Sequence, residues 1–153
     1  MRKLRRLRGA ENPGIAVSVL RRPSKRYGSA DALAESFGLP IFEPTWWPDD
    51  ARAVTYRLDK SPSGDMYRIG STRHAGTPIC VVGRAGEQRE RTLPPGNWSR
   101  PPELEAWRGL VRTNDAHIHA VLYHEQQTIH LIGYASKSEV VRAARSLRRV
   151  TAE

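Results

Sequence analysis

Three histidines come closest to a constellation that could do chemistry. His117 and His119 lie two residues apart, so in a strand they point to the same side, and His130 falls on the next apolar run. If the two runs pair as a hairpin, His119 and His130 are diagonal neighbours, about 7–8 Å apart at Cα. Imidazoles at that separation can bridge a metal, whose bonds to nitrogen are about 2.0–2.1 Å. A small metal-dependent enzyme using His117, His119 and His130 is therefore one reading. No carboxylate is placed as a further ligand, and a half-exposed strand face carrying histidines is the plainer alternative.

Tryptophans form the second candidate. Trp46 and Trp47 sit in residues 39–48, where three prolines oppose regular structure, and Trp98 is embedded in a second proline-rich stretch, residues 93–102. Such rings can make a platform for an apolar ligand or a protein partner, and proline-rich segments can dock in aromatic grooves. They can equally plug the edge of a core.

The third candidate is charge. The chain has 153 residues and a formal net charge of +9. Residues 1–26 hold Arg2, Lys3, Arg5, Arg6, Arg8, Arg21, Arg22, Lys25 and Arg26 against Glu11 alone, and the remainder is nearly neutral. A basic arm of this kind attracts phosphates without base specificity, or an anionic surface where Leu4 and Leu7 lie on one side of a helix. With Tyr27 as its one nearby aromatic, it lacks the stacking platforms of single-strand binders. A solvated tail is the alternative.

Other chemistries find little support. A single cysteine, Cys80, excludes an internal disulfide and a cysteine-based metal site, and its β-branched surroundings suit a structural thiol. There is no phosphate-binding glycine loop, nucleophile elbow or helical zinc signature. Asp49 and Asp50 follow a proline and read as turn chemistry. No catalytic residue and no cofactor is assigned, and the balance leans away from an enzyme. No run approaches the roughly 18 apolar residues of a membrane span, and residues 15–20 are too short for a signal peptide's apolar core, so the expectation is a cytoplasmic chain.

The elements that must position these residues are best defined at the end of the sequence. Residues 116–123 and 128–134 alternate as strands around a four-residue loop, 124–127. That length sets Leu122 opposite Ile129 and Ala120 opposite Leu131, so both apolar sets meet on one face. Ser136 and Glu139 make a capping box, and Val140, Ala143, Ala144 and Leu147 form the apolar stripe of a helix running towards Val150. That stripe is expected to lie on the hairpin's apolar face.

Upstream, residues 15–20 read as a short strand and residues 21–29 as a polar linker. Ser29 or Asp31 caps a short helix that ends at Gly38. Residues 53–58 and 66–71 read as a second hairpin, and residues 77–84 as a central strand. Residues 103–112 fit either a helix begun by Pro102 or a strand, with the strand preferred. The sum is an α+β domain over residues 27–153: an antiparallel, hairpin-built sheet of five to seven strands with the C-terminal helix packed on one face, preceded by the arm, residues 1–26.

Residues 39–150 resemble a bacterial family of unknown function found at the C-terminal end of anti-sigma-factor-like and sporulation proteins. The resemblance rests on Leu39-Pro40 with Pro44 and Trp47-Pro48 ahead of the strands. It rests further on the closing stretch IHLIGYASKSEVVRAARSL, with its strand, capped helix and Ala144-Arg145-Ser146-Leu147. It implies a curved half-barrel, similar to lipoprotein carriers, acting as a sensing or interaction module, and it brings no catalytic residue. The leading expectation is a non-enzymatic module that contacts a protein or a small apolar ligand, with nucleic-acid binding through the arm as the alternative.

Overall fold

The computed structural model describes residues 24–48, 51–73, 78–114, 117–133 and 136–152. Arg2 to Arg22 of the arm, the strand expected at 15–20, and Asp49 and Asp50 lie outside the described residues. The architecture is the α+β one expected. An antiparallel sheet of eight strands runs in the order β1-β3-β4-β5-β9-β8-β7-β6, and a second sheet pairs β10 with β2. The strands are β1 (Ser24–Tyr27), β2 (Ile41–Pro44), β3 (Ala51–Asp59), β4 (Met66–Arg73), β5 (Pro78–Ala85), β6 (Trp98–Ser99), β7 (Leu110–Thr113), β8 (Ile118–His124), β9 (Gln127–Gly133) and β10 (Leu147–Val150). Among the described residues two helices, α1 (Ala30–Phe37) and α2 (Lys137–Arg145), lie with a 3-10 turn at Pro102–Trp107 on one face.

The final hairpin has the register its side chains demand. Leu122 pairs with Ile129 and Ala120 with Leu131. One further pair, His124 with Gln127, shortens the loop to Glu125 and Gln126. Both turn residues have positive φ, 48° and 62°, which is what a two-residue turn needs to match the strand twist. Neither residue type advertises that conformation.

Alternation then divides the sheet into two faces. The first carries Leu58, Tyr67, Ile69, Ile79, Val81, Ala120, Leu122, Ile129 and Leu131, all at most 2 % exposed. α2 covers it at β8 and β9, with Val140, Ala143 and Ala144 buried. Its start is fixed as expected: Ser136 accepts from the Glu139 N–H, and the Glu139 carboxylate accepts from the Ser136 N–H. α1 begins at Ser29 and stops at Gly38, whose φ of 82° suits glycine alone without strain.

Besides β6, four segments differ from expectation, each for a physical reason. Residues 24–27 of the supposed linker form β1 on β3, pairing through backbone bonds that their exposed polar side chains do not signal. This strand and β6, which forms within the second proline-rich stretch, take the sheet to eight. Ile41–Pro44 forms β2 despite its prolines, because Pro40 and Pro44 fall at its ends and only one edge is paired. The C-terminal helix stops at Ser146, and Leu147–Val150 turns back as β10. Buried Leu147 and Val150 are three residues apart, a spacing that imitates a helical stripe. Ser146 fastens this junction by accepting at Oγ from the Trp46 N–H (3.1 Å). Finally, residues 103–112 split: Pro102 opens the 3-10 turn, which buries Leu104, and Leu110–Thr113 is strand.

Side chains link the main sheet to the β2–β10 sheet: Tyr56 Oη donates to the Glu43 carboxylate, and Tyr67 and Gln127 form a buried relay. Tyr67 Oη accepts from the Phe42 N–H (3.2 Å) and donates to Gln127 Oε1 (3.2 Å), and Gln127 Nε2 donates to the Pro40 carbonyl. The Tyr67 ring lies over Gly83, where an added Cβ would stand 2.1 Å from the ring.

Candidate binding surfaces

The second face of the sheet carries the histidines. His119, 6 % exposed, and His130 meet across the β8–β9 pair with Nε2 and Nδ1 2.8 Å apart. His130 Nε2 lies 3.2 Å from Gln88 Oε1, which only accepts, so that nitrogen holds the ring's proton. His130 Nδ1 is then the acceptor, and His119 Nε2–H donates to it. The edge of Trp98 closes over His119, ring centres 5.3 Å apart. Burial pushes the His119 pKa down to about 4, helped by His130, Arg112 and His117, and burial with Arg84 lowers that of His130. The pair is a neutral, hydrogen-bonded unit.

The diagonal relation of His119 and His130 is thus as expected. His117 stands at the end of the row, its ring centre 6.3 Å from that of His119. Among the described residues no three histidine, cysteine or acidic groups are arranged to hold a metal ion. Arg112 and Arg84, the cations that border the pair, oppose a further positive charge there. Cys80 is half-buried on the same face, where burial raises its pKa, the opposite of an activated thiol.

The tryptophans do not converge. Trp46 and Trp47 pack half-buried against the main core, and Arg142 of α2 stacks 4.3 Å over the Trp46 ring. Trp98 belongs to a small cluster on the second face with Leu93, Leu110, Val121 and Tyr123. Its indole N–H donates to the Pro94 carbonyl (3.0 Å), and the Arg112 guanidinium lies 5.4 Å from its ring. Of the basic arm, Lys25 and Arg26 are exposed in β1, with the Lys25 ammonium 5.5 Å from the Tyr27 ring.

Two concave surfaces among the described residues lie on either side of the Pro101–Pro102 ridge. One groove, about 650 Å³, has a floor of Tyr123, Gly109, Pro101 and Pro102. Its rim carries six charged side chains, of which four pair with one another. Arg108 meets Glu87 at 2.7 Å and Arg100 meets Glu90 at 2.8 Å, and the Arg108 guanidinium also lies 5.3 Å from the Tyr123 ring. The Glu87 carboxyl is held below its usual pKa by the hydrogen bond from Arg108. The second groove, about 600 Å³, runs between the ridge and α2, lined by Val141, Lys137, Ser138, Arg142, Arg145 and Glu103.

Neither groove was legible as a site. Tyr123 sits in an alternating strand like any other, and Gly109 becomes floor only because the 3-10 turn brings it under Leu104. A signal did exist for the second. Lys137, Val141 and Arg145 recur every four residues, a basic flank of the helix that borders the core at Val141. Among the described residues no helix is long and apolar enough to cross a membrane. Comparison with protein-family models, with curated proteins and with solved structures finds no match for this chain.

Proposed function

We propose that this protein is a non-enzymatic binding module whose groove beneath the Pro101–Pro102 ridge takes an apolar group of its ligand or protein partner. One observation carries the reading: four of the six charged side chains around the larger groove are satisfied by one another, Arg108 with Glu87 and Arg100 with Glu90, and its floor is ring and aliphatic surface. A polar ligand would have to break Arg–Glu pairs to use those four groups, whereas an apolar group gains by covering Tyr123, Pro101 and Pro102. The volume, about 650 Å³, is within the usual range of small-ligand sites, roughly 300–1,000 Å³. An antiparallel sheet backed by a capped helix also fits the interaction module that the resemblance to the sporulation-associated family implies.

The test uses Nile red, an uncharged apolar fluorophore. The native protein is expected to bind it at one saturable site, and Glu105→Trp, an exposed substitution on the 3-10 turn that fills the groove, is expected to abolish the signal. Absent saturable binding, or binding indifferent to Glu105→Trp, overturns the reading.

A further inference from the structure

We infer that the groove between Pro101–Pro102 and α2 receives an acidic, extended segment of a protein partner; this rests on the reading of the neighbouring groove as the site of an apolar group. The two grooves share Pro101 and Pro102 as a common wall, so one chain can cross from one into the other. Their chemistries differ. In the second, Lys137, Arg142 and Arg145 face Glu103 alone, and Lys137 and Arg145 are exposed with no carboxylate in ion-pair distance among the described residues. The groove also opens on the first turn of α2, the positive end of its dipole. Its walls, Pro101, Pro102 and Val141, are apolar.

Spacing narrows the occupant. Lys137 and Arg145 are eight helical residues apart, about 12 Å along the axis. An extended chain advances about 3.3 Å per residue, so acidic side chains at alternate positions of a five-residue stretch reach both cations, and the residues between them face the apolar wall. A nucleic acid suits the site less well. The side chains that line the groove include no ring on which a base could stack, and a face of Trp46 is already occupied by Arg142.

The test measures fluorescence anisotropy of labelled peptides with the full chain. One peptide alternates glutamate with leucine, its control alternates glutamine with leucine, and a single-stranded oligonucleotide serves as the competing polyanion. The acidic peptide is expected to bind about tenfold or more tightly over the control, with an affinity that falls as salt rises. The double variant Lys137→Glu, Arg145→Glu is expected to lose that advantage while retaining Nile red binding, and Lys137→Gln, Arg145→Gln is expected to lose part of it. Equal binding of the two peptides, or an acidic preference that survives charge reversal, overturns the inference; retained Nile red binding then leaves the apolar groove standing. An oligonucleotide that binds tighter than the acidic peptide and is lost in the same variants also overturns it, assigning the face to nucleic acid. Loss of Nile red binding in the unaltered protein would instead sink the reading beneath it.

Discussion

The two faces of the eight-stranded sheet are covered by different kinds of interaction. On the first, helices bury aliphatic side chains almost completely, and the buried polar side chains Tyr67 and Gln127 are tied to each other and to β2 and Pro40 by hydrogen bonds. On the second, the segment from Gly86 to Arg100 is held by a neutral histidine pair, Gln88, Thr128 and a small cluster around Trp98. The first cover depends on shape and area removed from water. The second depends on protonation state. A burial-driven face tolerates changes of pH and suffers from changes of volume, and the polar face should show the reverse.

The largest effect is expected from breaking shape on the first face. Gly83 lies in β5, between β4 and β9, with the Tyr67 ring directly above it. Gly83→Val puts a branched side chain where even Cβ would stand 2.1 Å from the ring. Tyr67 must then leave its bonds to Phe42 and Gln127, loosening β2 from the main sheet. We expect a loss of about 3 kcal/mol or more in urea denaturation, or failure to fold. A loss under about 1 kcal/mol would show that this packing is looser than described.

Acid should attack the second face next. The folded pKa of His119, about 4, lies below its ordinary value of 6.5, so the unfolded chain binds more protons between these limits. Stability from the neutral ring is fully present above pH 6.5 and is lost as pH falls towards 4, by on the order of 2–3 kcal/mol. His130, shifted in the same direction, adds to the loss. The nearby charges that oppose protonation are Arg112 and Arg84. Hydrogen exchange of amides in residues 86–100 should accelerate in this window ahead of those in β4 and β5. His119→Gln should flatten the pH dependence; an unchanged profile would mean the histidine pair is not the acid-sensitive element.

That contrast also explains what could be read in advance. The first face was legible because it obeys simple periods: Leu122 against Ile129, the capping box at Ser136, the stripe from Val140 to Ala144. The His119–His130 relation followed from the same register. What escaped was structure made by backbone or by distant contact. β1 pairs with exposed polar side chains, β2 and β10 find each other from opposite ends of the chain, and the grooves exist only where Pro101–Pro102 comes to lie beside α2 and Tyr123. No local pattern carries such information, because the partners are set by tertiary packing.

A smaller effect sharpens the account of the first face. Ser136→Ala removes the side chain that accepts from the Glu139 N–H, at an exposed position with little packing to lose. About 1 kcal/mol is expected, with fraying of α2 visible by hydrogen exchange. The second face should be untouched, and altered protection of residues 86–100 would show the two covers to be coupled.

The smallest effect separates the polar latch from its charged surroundings. Arg100 and Glu90 stand 2.8 Å apart at the groove's rim, with side chains 62 % and 55 % exposed. Water screens such a pair, and ordering two long side chains offsets much of the attraction. Arg100→Gln should therefore cost less than about 0.5 kcal/mol, a difference that salt removes. If the second face owed its cohesion to surface ion pairs, this variant would release the 86–100 segment as effectively as acid does. We expect its amides to stay protected at neutral pH, since the bonds through Gln88, Thr128, His119 and His130 are all intact. Protection lost in Arg100→Gln at neutral pH would move the origin of that cover from the buried imidazoles to the rim.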